Sequence, residues 1–211
     1  DPGVRVDFGG GDSVTLAGVT QTDLAGADVQ FVEPGAANLV LGTNGNDTLE
    51  GTPGDDLIIT GDNPDFDIVI GSAGDDEVDF SGITPDPGGF VELNYAALSG
   101  IATISATIDG AANTGSVIKD GLGTDTLQEV EKPLQAGWTT GGLGITGTSG
   151  ADRFDVAPSG QQWMQIRPGD GVDTIIIGGD ATERANADQI GFVRLDMTDG
   201  FGVDVNLATG V

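Results

Sequence analysis

Aspartates recur at near-constant spacing between residues 42 and 80, at Asp47, Asp56, Asp67 and Asp76. The segments that carry them read GTNGNDTLE, GTPGDDLIIT, GDNPDFDIVI and GSAGDDEVDF, so most of these carboxylates close a glycine-rich run. Two places after each Asp stands an apolar residue: Leu49, Ile58, Val69 and Val78. Carboxylates and turn carbonyls together form an all-oxygen donor set, which suits a hard cation. Glycine tolerates φ > 0 and close backbone approach, so the runs suit tight turns whose carbonyls converge. The triplet after each turn reads as a short strand with its apolar residue on the buried face. Two such units make one coil, and a coil buries its apolar side only by stacking on another.

Stacking sets the turn at 42–47 beside 61–67, and the turn at 51–56 beside 71–76. Each pair brings two carboxylates and several carbonyls into one gap, a flexible environment that favours Ca²⁺ over Mg²⁺ or Zn²⁺. The candidate ligands are Gly42, Asn44, Asp47, Gly51, Gly54, Asp56, Asp67, Gly71, Gly74 and Asp76. One Gly/Asp turn alone would read as an ordinary hairpin turn; a run of them that keeps the apolar position reads as a series of cation sites. The third segment departs from the pattern, with one extra residue before Asp67 and Pro64 where Gly is expected.

Written as G-G-x-G-x-D-x-U-x, with Thr, Asp or Ser for the second Gly, the unit resembles the calcium-binding nonapeptide of the RTX (hemolysin-type) family. The resemblance implies an all-β fold, a parallel β-roll of calcium-binding nonapeptide repeats, here joined by additional β-sandwich-like strands. It also implies export by type I secretion and an extracellular or cell-surface location. Isolated copies recur at DGLGTDTLQ, GTSGADRFD and PGDGVDTII, with Asp125, Asp152 and Asp173 in the metal position. Asp125 and Asp152 are 27 apart, three units of nine, whereas Asp152 and Asp173 are 21 apart, which is no multiple. With no evident stacking partner, these three read equally as calcium turns or as decayed repeats kept as structural turns.

Composition narrows the function classes. The 211 residues include 37 Gly but only 8 Phe, 2 Trp and 1 Tyr, which suits a thin roll or sandwich. Thirty-four acidic and 7 basic residues give a formal charge of −27. That charge argues against nucleic acid and anionic membrane surfaces as partners, and no apolar run reaches transmembrane length. Without cations the acidic turns would repel one another and oppose compaction. Cys and His are both absent, which removes disulfides, the usual zinc ligand sets and any His base. Carboxylate pairs of the glycosidase kind exist, but a bound Ca²⁺ would keep them ionised and poor as general acids. The cations Lys119, Lys132, Arg5, Arg153, Arg167, Arg184 and Arg194 form no local cluster. The chain therefore reads as non-enzymatic.

Four segments follow. Residues 1–41 carry two strands, Val4, Val6 and Phe8 then Val14 and Leu16, across a turn at 9–12, with Leu24, Val29 and Phe31 in a short helix or cap. Asp12 there reads as a turn residue. This segment resembles the end of a preceding RTX block, which implies a longer, multi-module polypeptide. Residues 42–82 are the repeat block. Residues 83–146 read as inserted antiparallel strands, FVELNYAAL, ATISATIDG and SVIKD, with one isolated repeat copy. Residues 147–211 read as a second, degenerate RTX-like block with trailing strands at Phe192–Leu195 and around Val203, Val205 and Leu207.

The expected function is that of a calcium-binding module that folds on meeting extracellular Ca²⁺, with calcium ions and neighbouring modules as partners. One alternative is an adhesin, S-layer or carbohydrate-binding module, with glycans as partners and Trp138 and Trp163 as a sugar platform rather than as filling for an aromatic-poor core. The other is a non-catalytic domain of a type I-secreted hydrolase.

Overall fold

A computed structural model describes residues 4–9, 12–16, 38–62, 66–85, 89–98, 103–135, 142–159, 162–178, 192–196 and 203–207. It divides into two units, Asp1–Gly35 and Ala36–Val211. In the first, alternating apolar residues form β1 (Val4–Gly9) and β2 (Asp12–Leu16), an antiparallel pair with Val6 opposite Val14. Asp12 opens β2 opposite Gly9. Leu24, Val29 and Phe31, and the cap expected of them, lie outside the described residues.

Among its described residues the second unit is all-β apart from one short helix. Its strands are β3 (Asn38–Leu41), β4 (Thr48–Glu50), β5 (Asp56–Ile59), β6 (Phe66–Ile70), β7 (Glu77–Asp79), β8 (Phe90–Asn94), β9 (Ile104–Asp109), β10 (Thr114–Lys119) and β11 (Gly123–Gln128). Helix α1 (Glu131–Leu134) precedes β12 (Gly142–Thr146), β13 (Arg153–Ala157), β14 (Trp163–Arg167), β15 (Asp173–Ile177), β16 (Phe192–Leu195) and β17 (Val203–Leu207).

Two sheets share these strands. One is six-stranded and parallel throughout, in the order β16-β14-β12-β8-β6-β4. The other is nine-stranded and mixed, in the order β17-β15-β13-β9-β10-β11-β7-β5-β3. From β3 to β8, and again from β12 to β17, successive strands alternate between the sheets. The exception is β9–β10–β11, an antiparallel meander inside the larger sheet, whose outer members pair in parallel with β13 and β7.

Two expectations change. FVELNYAAL does not join an antiparallel set, because β8 lies parallel between β6 and β12. The additional strands form no separate sandwich; they extend the same two sheets across residues 82 and 146. The two trailing strands form as expected, as β16 and β17, and belong to different sheets. β8 pairs with parallel neighbours, β6 and β12, that do not adjoin it in sequence, whereas β9, β10 and β11, which carry ATISATIDG and SVIKD, do pair antiparallel with their neighbours in sequence.

The core lies between the sheets. Leu49, Ile58, Val69 and Val78 are all buried there, joined by Leu127, Phe154 and Ile175 from the isolated copies. Alternation along each strand carries this: β6 buries Asp67 and Val69 while Phe66, Ile68 and Ile70 face outward or half outward.

Candidate metal centre

The Asp of each repeat stands two residues before the buried apolar position, so the strand period points both to the same face. Asp56, Asp67, Asp76, Asp125, Asp152 and Asp173 are accordingly between 0% and 3% exposed. Asp47 is half-buried at the end of the stack. A buried carboxylate is costly unless it is paired or hydrogen-bonded, and the structure satisfies most of these in two ways.

The first partner is a hydroxyl residue four positions earlier. Asp47 accepts the Thr43 N–H at 2.6 Å and its hydroxyl at 3.0 Å. Asp56 accepts the Thr52 N–H at 2.6 Å and its hydroxyl at 3.2 Å. Asp76 accepts the Ser72 hydroxyl at 2.9 Å. Asp152 accepts the Thr148 N–H at 2.6 Å and its hydroxyl at 2.9 Å. Each turn thus closes on its own carboxylate.

The second partner is the neighbouring coil. The N–H of Asp47 donates to Asp67 Oδ1 at 2.8 Å, that of Asp56 to Asp76 Oδ1 at 3.0 Å, and that of Asp152 to Asp173 Oδ1 at 2.9 Å. The Ile104 N–H donates to Asp152 Oδ1 at 2.6 Å. A reverse clip runs alongside: Asp55 Oδ1 accepts the Asp75 N–H at 2.8 Å, and Asp75 Oδ1 accepts the Thr124 N–H at 2.8 Å. Asp47 and Asp67 are therefore neighbours, as are the turns at 51–56 and 71–76. The isolated copies also have partners: Asp152 stacks on Asp173, and the β7–β11 register places Asp125 beside Asp76.

Three carboxylates lack the hydroxyl residue. The fourth position back is Asn63 for Asp67, Gly121 for Asp125 and Gly169 for Asp173. Two of the three are left short. Asp67 Oδ2 and Asp173 Oδ2 are buried with no hydrogen-bond partner. Desolvation pushes the Asp67 carboxyl up to about 6, against the lowering effect of the Asp47 N–H, and the nearby Asp47 charge raises it further. Asp173 is raised too, chiefly by burial and then by the charges of Asp152 and Asp170, against the lowering effect of the Asp152 N–H. Burial also raises Asp152, against its bonds from Ile104 and Thr148. Buried polar atoms in folded proteins are nearly always satisfied, so each orphan calls for an ion or a water.

At Asp125 the deficit is met internally. The Tyr95 hydroxyl donates to Asp125 Oδ2 at 2.7 Å, and the Lys119 ammonium donates to Asp125 Oδ1. Burial still holds the Asp125 carboxyl up near 6 despite Lys119, and pushes the Tyr95 phenol well above its ordinary value.

The glycines act through backbone approach. A Cβ on Gly51 would meet Asp56 Oδ2 at 2.6 Å, and one on Gly74, at φ +106°, would meet the Gly54 carbonyl oxygen at 2.5 Å. Side chains added at Gly42 or Gly71 would strike the Thr60 carbonyl and the Tyr95 ring. Asn44 is exposed. Sequence alone did not single out the hydroxyls of Thr43, Thr52, Ser72 and Thr148, although their fixed spacing from Asp is plain in the chain. Nor did it point to Tyr95 and Lys119 as partners of Asp125.

Among the described residues the acids meet in pairs, and no group of three or more converges. An ion at Asp67 or Asp173 would draw its remaining ligands from turn carbonyls and water, the mixed oxygen shell that Ca²⁺ accepts. Trp163 lies on the outward face of the smaller sheet, half-buried, edge-on to Phe90 at 6.0 Å between ring centres, with Phe66 stacked on Phe90 at 5.6 Å. Trp138 lies outside the described residues. No protein-family model, curated protein or solved structure matches the chain.

Proposed function

We propose that the chain is a calcium-binding, RTX-type module of a secreted or cell-surface protein, a parallel β-roll that Ca²⁺ locks after export. The observation that carries this reading is the pair of buried, partnerless carboxylate oxygens on Asp67 and Asp173. Both stand at the motif's metal position, each one coil away from another motif Asp. A divalent cation would satisfy the orphan oxygen, offset part of the −27 charge and bridge two turns. The free energy of binding then adds to that of folding. Asp47 and Asp152 complete the two acidic pairs, while Asp56, fully bonded by Thr52, serves the turn itself. On this reading the module has no reaction of its own, and its partners are calcium and the other modules of a longer polypeptide.

Calorimetric titration of chelator-stripped protein tests it. Calcium binding in the range of extracellular modules, on the order of 10⁻⁴ to 10⁻³ M, is expected, with no comparable heat from Mg²⁺. Absence of calcium binding at millimolar concentration rejects the reading.

One observation favours a second reading. The Phe66–Phe90–Trp163 row lies on the outward side of the smaller sheet, with Phe66 exposed and Trp163 half-buried on either side of a buried Phe90, and the two flanking rings could contribute to a glycan platform. A glycan-array signal lost in folded Trp163→Ala protein would establish that reading beside the first.

A further inference from the structure

We propose that Lys119 is a resident cation, taking at the Asp76–Asp125 step the place that Ca²⁺ takes at the other turns that lack a hydroxyl. The contrast rests on the calcium reading above; the geometry at Lys119 stands on its own.

The ammonium has three N–H donors, and three oxygens receive them: the Ser72 carbonyl at 2.7 Å, Asp76 Oδ2 at 3.0 Å, and Asp125 Oδ1. This donor set, one turn carbonyl and two stacked motif carboxylates, is the kind that the Asp67 and Asp173 turns would present to a metal. The Lys119 side chain is 0% exposed, with Asp76 and Asp125 at 2% and 3%, so the charge is enclosed and cannot be replaced by drifting solvent ions. Tyr95 takes the remaining Asp125 oxygen. No carboxylate oxygen at this step is left unpartnered, whereas the two turns that lack both a hydroxyl and a lysine, those of Asp67 and Asp173, each keep a bare oxygen.

The topology explains why a lysine serves here and nowhere else on this edge. The motif strands β5, β7, β11, β13 and β15 run in one direction in the large sheet, with Asp56, Asp76, Asp125, Asp152 and Asp173 near their starts, whereas β4 and β6, with Asp47 and Asp67, belong to the smaller sheet. Among the described strands of the large sheet, only β10 runs the other way, so it alone delivers its last residue to the end where those strands start. Lys119 is that residue, paired with Gly123 on one side and Ile104 on the other. The reversed meander thus brings its own counter-ion. This stretch should hold its turns together without calcium, while the Asp67 and Asp173 turns need it.

Two variants and one wild-type measurement test the proposal. Lys119→Ala removes the charge and leaves room for an ion and water; Lys119→Met removes the charge but fills the space. Calcium bound per chain, counted by equilibrium dialysis with elemental analysis, should rise by one in Lys119→Ala and not in Lys119→Met. Calcium should also raise the melting temperature of Lys119→Ala more than that of wild type. An unchanged count together with an unchanged calcium response in folded Lys119→Ala overturns the proposal. Should Lys119→Ala fail to fold even in calcium, hydrogen exchange of the wild type decides. Amides of 114–128 that stay as protected in chelator as in calcium, while those near Asp67 open, support the proposal; equal loss in both regions overturns it. Wild type that binds no calcium defeats the calcium reading, yet the Lys119→Ala count still decides here, because one ion gained by the variant supports a replaced cation and none rejects it.

Discussion

The backbone N–H of Asp47 donates to Oδ1 of Asp67 across one stacking step, at 2.8 Å, while Oδ2 of Asp67 is buried without a partner. One oxygen of this carboxylate thus ties two neighbouring strands together, and on the calcium reading the other takes a cation. Asp67→Asn should separate them. The amide oxygen can still receive the Asp47 N–H, and the buried charge is gone. We expect the variant to melt higher than wild type in chelator, lower than wild type in millimolar calcium, and with a much smaller calcium-induced shift. Thermal unfolding under the two conditions reads both signs.

Dependence on pH should follow the same group. An unfolded Asp carboxyl titrates near its ordinary 3.8, and the folded Asp67 near 6. The native state therefore holds this proton more tightly than the unfolded chain does. The group's contribution to stability is full below about pH 4 and is lost as pH rises through 6. Asp125, also near 6, acts in the same direction. In chelator the melting temperature should rise as pH falls from 7 to 5. In calcium, protons and metal compete for the same oxygens, so the calcium-induced gain should shrink over that interval. Melting curves at three pH values, with and without calcium, check both trends.

Coupling between sites should follow the stacking. Asp152 and Asp173 share the 2.9 Å hydrogen bond, and on the calcium reading they share an ion. Asp152→Ala combined with Asp173→Ala should cost less than the sum of the single changes, because the first already impairs the common site. Asp67→Ala with Asp173→Ala, in turns that share no partner, should add to within about 0.5 kcal/mol. Denaturant midpoints in calcium give the cycle.

The glycines divide by what surrounds them. Gly121 has φ +76° with nothing within 4 Å of an added Cβ, so Gly121→Ala should carry backbone strain alone, about 1–2 kcal/mol. Gly74 has φ +106° and the Gly54 carbonyl oxygen 2.5 Å from an added Cβ. Gly74→Ala must therefore also push two coils apart, and should cost roughly twice as much or more. Equilibrium unfolding in calcium compares the two.

Much of this architecture can be read from the chain, for physical reasons. The period of nine fixes which residue points inward, so Leu49, Ile58, Val69 and Val78 are identifiable as core and Asp47 as the neighbour of Asp67. Alternation in 4–16 suffices for the β1–β2 hairpin. The partner of Asp125 was not legible, because β8, β9 and β10 intervene before the chain returns beside β7. Nor was Lys119, whose arrival at the Asp edge depends on one strand running backwards. The distinction between self-satisfied and deficient turns was present all along, in Thr43, Thr52, Ser72 and Thr148 against Asn63, Gly121 and Gly169. Its meaning emerges only once the carboxylates are seen to be buried, since an exposed Asp needs no such partner.

If calcium locks this fold, a divalent cation sits against each of the two orphaned carboxylate oxygens. A crystal structure grown in millimolar calcium, with anomalous scattering used to place the ions, shows whether it does. Ions are expected about 2.3–2.6 Å from Asp67 Oδ2 and from Asp173 Oδ2, with turn carbonyls completing each shell and none at the Lys119 ammonium. Ordered water on both oxygens, with no ion at either in saturating calcium, would contradict the calcium reading.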